Sequence, residues 1–149
     1  MKNFFISSMF ILCCTSVSLA QSGSDGQQII NRFFELYKTK GADAGLDYIF
    51  STNKWMDLEG EGVRHVHSEL SNIIGLIGNY LGHEEVKSVS LGKRYRIVSY
   101  LVYYERQPLR FTFQLYRGSG DWMLYNFKFD SNFEEDMEEA IRLSTPSKL

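Results

Sequence analysis

Three histidines are the residues of this chain best suited to chemistry. His65-Val66-His67 sets two imidazoles one residue apart, and His83 supplies a third. Such a pair converges on one metal ion only in extended backbone, because helical residues two apart point about 200° away from each other. The surrounding pattern reads as helix, so no metal site is expected. His65 and Glu69, four apart, share a face, but two ligands make a weak site. Acid–base catalysis is the other use of an imidazole. His67 falls in register with Val63, Leu70 and Ile74, which aims it at the sheet, with Tyr48, Trp55 and Asp57 as possible neighbours. Burial against an aromatic wall would move its pKa toward working pH. The plainer account makes Tyr48 and Trp55 core aromatics and puts Asp57 in a solvated loop with Glu59 and Glu61. No serine elbow, glycine-rich phosphate loop or zinc-protease motif occurs, and no cofactor is expected.

The elements that would hold these residues fall into a helical half and a strand half. Ser24 and Asp25 offer capping oxygens, and Ile29, Ile30, Phe33, Phe34 and Tyr37 then recur at helical spacing to about Gly41. A short second helix carries Leu46, Ile49 and Phe50, with Asp43 as its cap, before a loop from Ser51 to Gly62 that holds Trp55. The third helix has the clearest stripe, Val63, Val66, Leu70, Ile73, Ile74, Ile77 and Leu81, with Gly82 as its stop. Gly75, Gly78 and Gly82 along it predict close approach of a bulky sheet aromatic or a partner helix to the backbone.

From Val86 the apolar period shortens from 3.6 to 2. Four strands are expected, about Val86–Leu91, Tyr95–Glu105, Leu109–Tyr116 and Trp122–Asp130, joined by hairpin-length loops and therefore antiparallel. Ser131 to Leu143 reads as an acidic amphipathic helix with Phe133, Met137, Ala140 and Ile141 on one side, followed by a frayed tail over 144–149. Both faces of the second strand are apolar: Tyr95, Ile97, Leu101 and Tyr103 on one, Val98, Tyr100, Val102 and Tyr104 on the other. Helices can cover only one face, so the other, convex one should meet a second molecule or the last helix, and a back-to-back homodimer through that convex face is expected.

The N-terminus reads as a secretory signal over residues 1–20: Lys2, an apolar run from Phe4 to Cys14, and Ser18-Leu19-Ala20 before Gln21. The run is short for an uncleaved anchor, and neither cysteine follows the small residue that lipid attachment favours. Both cysteines, Cys13 and Cys14, leave with the signal, so the exported chain, periplasmic or secreted, must be held by its core alone. With 16 Lys+Arg against 18 Asp+Glu there is no basic excess to attract nucleic acid. No apolar stretch of about 20 residues remains to span a membrane. Residues 21–143 form a single domain of α+β class, with three N-terminal helices packed in a strongly curved four-stranded antiparallel sheet and an acidic C-terminal helix.

This order of elements, the phrase Ala44-Gly45-Leu46-Asp47-Tyr48-Ile49-Phe50, and the last strand Trp122-Met123-Leu124-Tyr125-Asn126-Phe127-Lys128-Phe129 resemble the nuclear transport factor 2-like superfamily. The resemblance implies a bent sheet wrapped around the helices into a cone with a pocket at its open end, and Tyr48, Trp55, His67 and Tyr100 are the residues nominated to line it. A helix after the final strand departs from many members. Fold alone licenses no activity. The favoured function is an exported, non-catalytic module binding a small apolar or amphipathic ligand or a protein partner. The alternatives are an isomerase- or dehydratase-like enzyme using His67 with Asp57 or Tyr48, and a structural subunit docking through its acidic last helix.

Overall fold

The computed structural model describes residues 26–133, 137, 138 and 142. The signal segment and most of the expected last helix lie outside the described residues. Within that helix Met137 and Glu138 are helical, and the Met137 N–H donates to the Phe133 carbonyl.

Three helices, α1 (Gln27–Lys40), α2 (Ala42–Ser51) and α3 (Glu61–Ile77), precede four strands, β1 (Tyr80–Leu91), β2 (Tyr95–Tyr104), β3 (Leu109–Arg117) and β4 (Trp122–Asp130). The strands form one antiparallel sheet in the order β1-β2-β3-β4, with β1 and β4 as its two edges. The molecule is thus α+β, three helices on an open four-stranded sheet. Hairpin connections of three or four residues leave each strand no choice but to pair with its sequence neighbour in reverse.

Strand alternation decides which side faces the helices. Val98, Tyr100, Val102 and Tyr104 of β2, and Leu109, Phe111, Phe113 and Leu115 of β3, are all buried, while their alternate neighbours are at least partly open. Phe33 of α1 is completely buried among these side chains, with its ring centre 5.1 Å from that of Phe113, 6.2 Å from Phe111 and 5.9 Å from Phe127. Gly45 lets α2 lie against this helix: a Cβ there would sit 3.1 Å from Phe33 and 3.2 Å from Tyr37.

Several boundaries differ from the periodicity. The third helix ends at Ile77 rather than at Gly82, because Gly78 takes φ 92°, a conformation that turns the chain out of the helix and that side chains resist. The first strand consequently starts at Tyr80 rather than Val86, and Leu81 and Gly82 belong to the sheet. The three glycines do not admit a sheet aromatic. Among the described residues a Cβ at Gly75 or Gly82 meets nothing within 4 Å, and one at Gly78 would strike the Glu105 carboxylate, which accepts the Asn79 N–H. Asp43 lies inside α2, whose N-cap is Gly41, and Gly26 rather than a polar side chain caps α1.

The outer face of the sheet is more mixed than an uninterrupted apolar surface. Tyr95, Ile97, Leu101 and Tyr103 are half-buried there, but between them Ser99 hydrogen-bonds Thr112, and Arg110 pairs with Asp130 at 2.9 Å. The β4 edge is engaged at Leu124: Thr52 accepts the Leu124 N–H at 3.0 Å and Asn53 donates to the Leu124 carbonyl at 2.8 Å. The chain after α2 is therefore stitched to the sheet.

Candidate ligand-binding hollows

Burial of α3 is one-sided and partial, and this creates the first candidate site. Only Leu70 and Ile77 of α3 are fully buried, while Val63, Val66, Ile73 and Ile74 are half-covered against the core. At the N-terminal end of α3 the helix stands off β4. A hollow of about 370 Å³ opens there, walled by Phe50 of α2, Met56 of the loop, Val63 and Val66 of α3, and Phe127 of β4. Its volume lies within the roughly 300–1,000 Å³ common for small-molecule sites. Among the described residues Asp57 is its one ionisable lining group, and the Asp57 Oδ1 accepts the Glu59 N–H at 3.1 Å, which orients the carboxylate.

His67 does not join Asp57 in this hollow. Its Nδ1 lies 3.0 Å from the Asp43 carboxylate and its Nε2 3.4 Å from that of Asp47, both on α2 and both largely open to water. The ring centre is 6.1 Å from that of Phe50. Helical register thus aims His67 at α2 and not at the sheet, because α2, placed by Gly45 and Phe33, fills the space that the stripe alone assigned to strands. Neither Tyr48 nor Asp57 hydrogen-bonds it. Tyr48 is half-buried and packs on the core, with burial raising its phenol pKa. Tyr100 is buried on the inner face, accepts from Gln27 at 2.6 Å and donates to Glu85 at 3.2 Å, and burial raises its pKa too. The nominated residues therefore occupy separate places. Among the described residues no three His, Cys, Asp or Glu side chains converge as a metal site.

Trp55, expected in the core or the pocket, is 78% exposed. It lines a second hollow of about 460 Å³, between the α2–α3 loop and the β3–β4 hairpin, with Lys54, Tyr116, Ser119, Asp121 and Trp122. The Lys54 ammonium sits 5.0 Å from the Trp55 ring centre, and the Arg117 guanidinium 5.4 Å from that of Trp122. Trp55 is held at the backbone: its N–H donates to the Asn53 side chain at 3.0 Å, and Asn53 in turn holds β4.

A third arrangement, at the opposite end of the sheet, escaped the sequence reading. The His83 ring stacks flat on Phe34 with centres 3.6 Å apart, and its Nδ1 meets the Tyr80 hydroxyl. Burial, reinforced by Lys38, lowers the His83 pKa. Beside it the Tyr37 and Tyr104 hydroxyls hydrogen-bond each other inside the core, and burial raises both phenols. This cluster stays neutral near pH 7 and is built for packing. The pairing of Phe34 with His83, 49 positions apart, follows from β1 starting six residues earlier than its β-branched stretch.

No protein-family model, no curated protein and no solved structure matches this chain.

Proposed function

We propose that the protein is an exported, non-catalytic binding module that takes a small apolar or amphipathic ligand in the hollow between α3 and β4. The supporting observation is the chemistry of that hollow: among the described residues Phe50, Met56, Val63, Val66 and Phe127 form an apolar bowl with one carboxylate, Asp57, in its walls. An apolar bowl removes hydrocarbon surface from water at about 25 cal/mol per Å² buried. One carboxylate selects the headgroup, favouring a neutral or cationic ligand over an anionic one. Membership of the nuclear transport factor 2-like superfamily is part of the same proposal, supported by the element order and by the segments 44–50 and 122–129. Export is supported by the composition of residues 1–20. No described helix is long and apolar enough to cross a membrane.

Decylamine, decanol and decanoate titrated into the ¹⁵N-labelled mature chain test the reading. Saturable amide shifts confined to residues 56–66 and 126–127, strongest for the amine or alcohol and lost in Val66→Phe, are the expected result. Absence of saturable shifts with every probe, or shifts unaffected by Val66→Phe, would refute it.

Acid–base catalysis through His67 has weaker support, because its nitrogens meet Asp43 and Asp47 on a helix surface rather than Asp57 or Tyr48 in a hollow. Self-association through the outer sheet face is supported by Tyr95, Ile97, Leu101 and Tyr103, which no described helix covers. Light scattering of the mature chain at two concentrations tests it, and a strictly monomeric species would exclude it.

A further inference from the structure

The hollow beside Trp55 differs in chemistry from the apolar bowl. Trp55 carries a large apolar ring that is 78% exposed, although folding normally gains by burying such a side chain. The backbone that carries it is anchored. Asn53 receives the Trp55 N–H at 3.0 Å and donates to the Leu124 carbonyl at 2.8 Å, while Thr52 accepts the Leu124 N–H, so the indole is carried on backbone tied to the sheet. Across the hollow stand Tyr116 and Trp122, and the polar walls are Lys54, Ser119 and Asp121. The site therefore combines an open aromatic platform with hydrogen-bond donors and acceptors within one concave space of about 460 Å³.

Ligand classes can be separated on these features. A quaternary ammonium seeks aromatic faces, but here Lys54 and Arg117 already lie over Trp55 and Trp122, and their charge repels a further cation. A purely apolar ligand would leave Asp121 and Lys54 without water and without partners, which is costly. A pyranose satisfies both demands. Its C–H face packs on an indole, and its rim of hydroxyls both donates to a carboxylate such as Asp121 and accepts from an ammonium such as Lys54.

We propose that this hollow is a saccharide-binding site, with a sugar ring stacked on the Trp55 face that Lys54 leaves open and its hydroxyls held by Asp121, Lys54 and Ser119. The inference is independent of the apolar bowl, which shares none of these residues.

Maltotetraose, cellotetraose and chitotetraose, titrated separately into the ¹⁵N-labelled mature chain, test the site. The expected result is saturable shifts of the Trp55 indole N–H and of amides 116–123 with at least one of them. Affinity should fall at least about tenfold in Trp55→Ala and be largely restored in Trp55→Tyr. Trp55 packs on little, so Trp55→Ala should unfold at nearly the wild-type temperature, which separates lost binding from lost fold. Absence of saturable shifts with all three sugars up to about 10 mM, or affinity unchanged in Trp55→Ala, would overturn the proposal. Shifts confined to residues 56–66 would overturn it as well, because they would place the sugar in the other hollow.

Discussion

Replacing Phe33 by alanine probes the packing that seats α1 on α2 and the sheet. Phe33 is fully buried and lies within ring-contact distance of Phe34, Tyr37, Phe111, Phe113 and Phe127. Its ring also fills the space that Gly45 leaves open, so it joins α1 at once to α2 and to two strands. Deleting a buried phenylalanine ring costs about 3–5 kcal/mol from lost transfer energy and the cavity left behind. The upper end applies here, since neighbours drawn from separate elements cannot all close on the void, and edge-to-face pairs add about 0.5–1.5 kcal/mol each without being additive. For a domain of roughly 110 residues, with unfolding entropy near 2.1 cal/mol/K per residue, about 4 kcal/mol lowers Tm by roughly 17 °C. Urea unfolding followed by far-UV circular dichroism measures it, with Phe33→Leu as the volume-sparing control at about half the loss. A loss below about 1 kcal/mol for Phe33→Ala, with an unchanged m value, would refute the seating of α1 on the sheet.

Three further outcomes follow from particular contacts. Gly75→Ala should stabilise α3 by about 0.5–1 kcal/mol, because its Cβ meets no described residue within 4 Å, whereas Gly78→Ala should destabilise by about 1–3 kcal/mol through its positive φ and the displaced Glu105 carboxylate; thermal melts of the two variants should move in opposite directions. His83 should make stability depend on pH with a definite sign. Its folded pKa is lowered below the usual 6.5, so the unfolded chain binds the proton first; stability is full above about pH 7 and falls as pH drops through 6.5 toward the folded value. In His83→Phe, the urea midpoint between pH 7 and pH 5 should fall less than in the wild type. Asn53→Ala removes one hydrogen bond from the Trp55 loop to β4 and one within that loop, so it should cost about 1–2 kcal/mol and raise amide exchange over residues 52–56.

The sequence alone determined the elements whose pattern is local. The period change from helix to strand, the short hairpin loops, and the buried alternation Leu109, Phe111, Phe113 and Leu115 were all legible, because burying one face imposes a periodicity and a short loop permits only antiparallel return. It also showed that few groups with obvious chemistry exist. Where those groups point was decided by tertiary structure. His67 lies on the predicted stripe, yet what that stripe meets is α2, set by a Phe33–Gly45 contact between separate helices. Trp55 looked like core because tryptophan is usually buried, but the loop that carries it is held by Thr52 and Asn53 against Leu124, some 70 residues away, and that attachment turns the ring outward. Gly78 ended α3 before Gly82 could, since nothing in the spacing distinguishes two glycines until one must take a positive φ. Secondary structure depends on near neighbours, whereas a hollow exists only where distant elements fail to meet, and that failure has no period in the chain.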